Sequence, residues 1–194
     1  MELPELVVAD AVAWREWLGD HHAESKGVWL VLAKKGTNDP TSLSYDEALD
    51  DAICFGWIDG QLRGRDAATF RRRFTPRQSR SAWSQRNVTI AEKLTGAGRM
   101  HAAGEVEVQR AKEDGRWKAA YAGQATSEVP DDLARALAAN PLAQAKFQEL
   151  TSANRYAILY RIENAKKLDT RFRRIEKFVE MLARGETIHP QRPG

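Results

Sequence analysis

The sequence predicts an α+β protein, a small antiparallel sheet packed with helices and followed by a helical C-terminal region. Three observations carry this expectation. Short β-branched and aromatic stretches, at about 28–33, 57–62 and 69–75, all fall in the first half of the chain. Beyond Gly98 such stretches stop, and apolar residues recur at the three- and four-residue spacing of helices. With 194 residues, 42% hydrophobic and 29% charged, the chain is long and apolar enough to bury a core, and its composition is that of a folded globular protein.

In order, Asp10 is placed to cap a helix from Ala11 to about Gly19, with Val12, Trp14, Trp17 and Leu18 as its apolar positions. Gly27 to Ala33 is nearly all apolar and reads as a buried strand, and Lys34 to Pro40 as a loop. Ser44 with Glu47 three residues on is a capping box, ahead of Ala48, Leu49, Ala52, Ile53 and Phe55, and Gly56 ends that helix. Trp57–Leu62 and Thr69–Thr75 read as two paired strands. On the second, alternation puts Phe70, Arg72 and Phe74 on one face and Arg71 and Arg73 on the other. Pro76 stops this strand because it has no N–H for the ladder. Ser81 or Ser84 starts a helix through Val88, Ile90, Ala91 and Leu94. Further helices are expected at about 102–114, 131–139, 141–150, 153–167 and 169–184. The domain reading is an α+β part over 1–114, a polar linker over 115–128 and a helical part over 129–190, with a Pro-rich end expected to fray.

The functional signal is local. From Arg63 to Arg86 there are eight arginines (63, 65, 71, 72, 73, 77, 80 and 86) against the single acid Asp66, eight minus one or +7, whereas the whole chain carries +3. Arginine in place of lysine favours planar recognition of anions, or stacking. Three readings stay open: a solvated face with local salt bridges, a site for an anionic small molecule or phosphate, and a nucleic-acid surface. The anion site would combine Trp57, Asp59, Arg73, Arg77 and Trp83. The nucleic-acid surface would use Arg63, Arg65, Arg71, Arg72, Arg80 and Arg86, with Trp57, Phe74 or Trp83 for stacking. Asp59 is either a structural ion pair or a group orienting guanidinium donors. A basic strip, Arg171, Arg173, Arg174, Lys177 and Arg184, reads as the solvated side of the last helix.

Other chemistry finds little footing. Cys54, the single cysteine, sits near a helix C-terminus, where the dipole opposes a thiolate; it reads as a small buried hydrophobe. The four histidines show no metal-ligand spacing, and no P-loop or dinucleotide-binding glycine motif is present, so no cofactor or metal is expected. No apolar run reaches the length of a membrane span, the start does not resemble a signal peptide, and one cysteine cannot make an internal disulfide. A cytoplasmic location and a non-catalytic role are the expectations.

Several blocks resemble a known family: Cys54–Gly60, Phe74–Arg77, Ser81–Ser84 with Asn87, Gly98–Met100 with Gly104, Asn154–Tyr160, Ala165-Lys166, Thr170-Arg171, Arg174–Lys177 and Gly185-Glu186 with His189-Pro190. Together they resemble the YdeI/OmpD-associated, or bacteriocin-protection, proteins over nearly the whole chain. The resemblance implies a YjbR/CyaY-like N-terminal part and a role in tolerance to bacteriocins or cationic antimicrobial peptides. It implies no catalytic residue.

Overall fold

The computed structural model describes residues 2–121, 127–165 and 167–191. The chain forms two compact units, Met1–Ala120 and Tyr121–Gly194. Part of the expected linker, residues 122–126, lies outside the described residues, as do Lys166 and the last three positions of the Pro-rich end.

The first unit runs β1 (Glu5–Leu6), α1 (Ala11–His21), β2 (Val28–Ala33), α2 (Tyr45–Cys54), β3 (Trp57–Gly64), β4 (Thr69–Pro76), α3 (Gln85–Gly96) and α4 (Ala102–Glu113). The sheet order is β1-β2-β4-β3, with β2, β4 and β3 antiparallel and β1 parallel to β2. The α+β class therefore holds, with a mixed sheet. The two-residue β1 is too short to show alternation, and only its pairing with Trp29 and Leu30 defines it.

Caps set the helix starts. The Asp10 carboxylate accepts from the Ala13 N–H, and Ser44 and Glu47 make the full reciprocal capping box. The apolar faces of α1 and α2 then close over the sheet. Trp14, Leu18, Leu49 and Ile53 pack on Leu30, Leu32, Trp57 and Phe74, and the Trp14 indole N–H donates to the Ala48 carbonyl at 3.1 Å. Val12, placed by its spacing on the apolar side of α1, is instead 67% exposed.

Two glycines let α4 lie close against the end of α2. Gly56 has φ +74 and ends α2, and a Cβ there would lie 2.9 Å from the Ala103 carbonyl oxygen. A Cβ on Gly104 would lie 2.1 Å from the Cys54 carbonyl oxygen, so α4 can seat against the end of α2 only through a residue without a side chain. Residues 115–120 stay with this unit, because the Trp117 ring packs 4.8 Å from that of Trp83.

The second unit contains α5 (Asp131–Ala138), α6 (Pro141–Gln148), α7 (Ser152–Glu163) and α8 (Leu168–Ala183). Leu133, Phe147, Ile158, Ile162, Phe178 and Leu182 lie in its core. Arg171 holds Asp132 with two contacts, Nε to Oδ2 at 2.6 Å and Nη2 to Oδ1 at 2.9 Å, and also donates to the Ile162 carbonyl, tying α8 to both α5 and α7. Buried Asn154 accepts from the His189 N–H and donates to the His189 carbonyl and the Gln191 side chain, fastening the tail to α7.

Candidate functional site

The eight arginines of the 63–86 stretch divide according to the face of the sheet they occupy. The helix-covered face carries Trp57, Asp59, Phe70, Arg72 and Phe74, as the pairings of Asp59 with Phe74 and of Val28 with Phe74 require. Here Arg72 Nη2 lies 2.7 Å from Asp59 Oδ2, and the Tyr45 hydroxyl donates to the same oxygen at 2.9 Å. The Arg72 guanidinium also lies 4.3 Å from the Tyr45 ring centroid; Arg86 approaches that ring at 5.3 Å and pairs with Asp46 at 2.7 Å. Burial, and then the Asp59 charge, push the Tyr45 hydroxyl up to about 12, so it remains a hydrogen-bond donor. This cluster pins the start of α2 to the sheet.

The opposite face carries Trp29, Arg63, Arg71 and Arg73. Arg63 lies 4.3 Å over the Trp29 ring and reaches Glu2 at 3.2 Å. Arg71 and Arg65 share Glu5, at 2.8 and 3.1 Å, and Arg65 also pairs with Asp66 at 2.8 Å. Asp66 itself accepts from the Thr69 hydroxyl and from the backbone N–H groups of Thr69 and Ala68, which holds its carboxyl down near 2. Four arginines (63, 65, 71 and 73) thus meet three acids, leaving +1 where the sequence count promised far more. The excess is Arg73. Its side chain is exposed and makes no ion pair or hydrogen bond among the described residues, and the same holds for the side chain of Arg80.

Arg77 takes a third course. It is buried, with its guanidinium carbon 3.6 Å from the Trp83 ring centroid and Nη1 donating to the Ala82 carbonyl at 3.3 Å, while its backbone N–H donates to the Gly56 carbonyl. Arg116 reaches across to the Ser81 carbonyl at 2.8 Å and closes this corner.

The five residues expected to share one pocket are therefore dispersed. Trp57 and Trp83 are each 1% exposed and belong to the core; a ring so enclosed offers no face to a ligand. Trp57 spends its indole N–H on the His22 carbonyl. Arg77 and Trp83 do come together, and Asp59 is held by Arg72 in place of Arg73, because residues 72 and 73 project from opposite faces of β4.

The expectations missed one polar centre. Asp51 on α2 is only 3% exposed, and its Oδ1 accepts from Arg15 Nη1 at 2.7 Å and Arg99 Nη2 at 2.9 Å. Arg15 Nη2 also donates to the Arg99 carbonyl, so α1, α2 and the turn before α4 meet on one carboxylate. Cys54 lies beside this centre, fully buried; burial pushes its thiol up, against the opposing pull of Arg15. A signal existed: residues 48, 51, 52 and 55 share a helical face, which puts an acid among apolar residues. Among the described residues no group of three or more His, Cys, Asp or Glu side chains could hold a metal ion, and no helix is long and apolar enough to cross a membrane.

Comparison with protein families divides the chain much as the fold does. Residues 6–107 match a domain of unknown function, DUF8412, over more than half of the sequence. The chain belongs to the DUF8412 family. In this DUF8412 protein the matched stretch holds the Asp51 and Asp59 centres and all eight arginines of the 63–86 stretch. Residues 126–185 match the family described as Bacteriocin-protection, YdeI or OmpD-Associated, which supports the resemblance stated above for the second unit. The YjbR/CyaY-like likeness implied for the first unit receives no such support, the match there being to DUF8412. No curated protein and no solved structure matches the chain.

Proposed function

We propose that this chain is a non-catalytic, cytoplasmic accessory protein acting in bacteriocin protection or stress tolerance, and that it binds an anionic small molecule or phosphate. The description of the family matching residues 126–185 supports the role. One observation supports the ligand class: Arg73 is the cation left over on an arginine-bearing sheet face whose other guanidinium groups are occupied by Glu2, Glu5 and Asp66. Its side chain lies over Gly60, where a Cβ would touch Arg73 Nε at 3.5 Å. Arginine suits this task because its planar fork matches carboxylate and phosphate oxygens. A cationic peptide would be repelled from the same face, so peptide capture there is not part of the proposal.

The same pairings weigh against a nucleic-acid surface over 63–86. Of the six arginines it would use, all but Arg80 already contact acids, and they lie on both faces of the sheet.

Thermal melting at low salt with inorganic phosphate, a nucleoside triphosphate and polyphosphate tests the reading. At least one anion raises Tm in a concentration-dependent way, and the rise shrinks in Arg73→Gln/Arg80→Gln. No rise with any of the three, or an undiminished rise in the double variant, rejects it.

A further inference from the structure

Helix α8 of the second unit displays its residues in separate strips. Taking 100° per residue, Ile175, Phe178 and Leu182 face the core. The adjoining strip holds Leu168, Phe172 and Val179; next come Asp169, Glu176 and Glu180, and then Arg173, Arg174 and Lys177. Two of the apolar residues are conspicuously uncovered, Leu168 at 72% exposure and Phe172 at 61%.

Phe172, Ile175 and Val179 form one wall and the floor of a groove of about 510 Å³, with Glu176 and Glu180 along it. The other wall is the end of α5, Ala136 and Ala139 with Asn140. Those small side chains keep that wall low, so a second backbone can approach closely. From Leu168 to Glu180 the strip runs about 18 Å, roughly three turns of helix.

We infer that this groove docks a basic amphipathic helix of a partner chain. Its apolar residues would cover Phe172 and Val179, and its Lys or Arg flank would meet Asp169, Glu176 and Glu180. Charge decides the occupant. Among the described residues none of these three acids makes a salt bridge, while the cations Arg173, Arg174 and Lys177 line a separate recess with Thr170. A second copy laying the same groove on this one in twofold fashion would bring Glu176 and Glu180 toward their own equivalents, and like charges oppose that pairing. The inference is independent of the anion site on the first unit.

Fluorescence anisotropy on the full chain tests it, with a labelled fourteen-residue helical peptide carrying Leu at i, i+3, i+4 and i+7 and Lys elsewhere, and a twin with Glu in place of Lys. The Lys peptide binds, more weakly as salt rises, and the Glu peptide does not. Glu176→Lys/Glu180→Lys and Phe172→Gln each weaken binding at least tenfold, in proteins whose Tm matches the parent; both sets of side chains are exposed, so the fold does not depend on them. Absence of binding by the Lys peptide, equal binding by the Glu peptide, or unchanged binding in either variant overturns the proposal. So does self-association of the free chain that Phe172→Gln abolishes, since the groove would then belong to a second copy.

Discussion

Asp59 accepts its ion pair from Arg72, 2.7 Å away, while Arg73, the next residue along the same strand, stands on the other face and reaches no acid. Two adjacent arginines of identical chemistry thus have opposite duties. Arg72→Ala leaves a mostly buried carboxylate with only the Tyr45 hydroxyl and is expected to cost about 1–3 kcal/mol. Arg73→Ala is expected to stay within about 0.5 kcal/mol. Urea unfolding of the two variants distinguishes them, and equal costs would refute the assignment.

The Asp51 centre predicts a non-additive loss. Arg15 and Arg99 grip the same carboxylate oxygen, and both are partly exposed, so either alone can still neutralise the acid. Each single alanine variant is expected to lose about 1 kcal/mol. Removing both strands a charge in the core and is expected to cost about 3–5 kcal/mol. A double-mutant cycle in which the two losses simply add would show that the arginines act separately.

Gly104 predicts a packing failure that a thiol reagent can read. An alanine Cβ would fall 2.1 Å from the Cys54 carbonyl oxygen, a backbone atom with little freedom to yield. Gly104→Ala is expected to shift α4 off the end of α2, at a cost of about 3 kcal/mol or more. Cys54, buried and with its thiol pushed up, should react slowly with a disulfide reagent in the parent and much faster in the variant. Unchanged reactivity would mean that α4 is not what shields it.

In the second unit, the Arg171 guanidinium holds the Asp132 carboxyl below its ordinary range. A carboxyl depressed in the folded state stabilises the fold above its unfolded pKa, about 3.9, and that contribution fades as pH falls through the folded value. Asp132→Asn is therefore expected to cost about 1 kcal/mol at pH 7, a modest figure because the pair is partly solvated. The gap between parent and variant should close as the pH is lowered below about 4. A gap that does not narrow as the pH falls would place the loss in packing and not in charge.

Much of the local structure was legible in the residues. Asp10, Ser44 and Ser84 each accept a backbone N–H at the start of their helix. Alternation along 69–75 separated Arg72 from Arg73 correctly, because a strand's period of two is a property of the backbone. Two limits showed as well. The apolar pattern of α8 included Phe172, yet nothing in a helical period distinguishes a residue that meets a neighbour from one left on the rim of a groove. The short β1 carried no pattern, and it delivers Glu5 to Arg65 and Arg71.

What this chain's sequence determined by itself was its class, its helix starts and the facing of its strands, since caps, prolines and side-chain periods act over a few residues. Only the tertiary structure decided the fate of its charges. Glu2 and Glu5 lie some sixty residues from the arginines they neutralise, and Asp51 lies far in sequence from both Arg15 and Arg99. A local count therefore reads as a strongly basic patch what the fold resolves into ion pairs. Coulombic pairing depends on distance in space, and that distance is set by the packing of the whole unit.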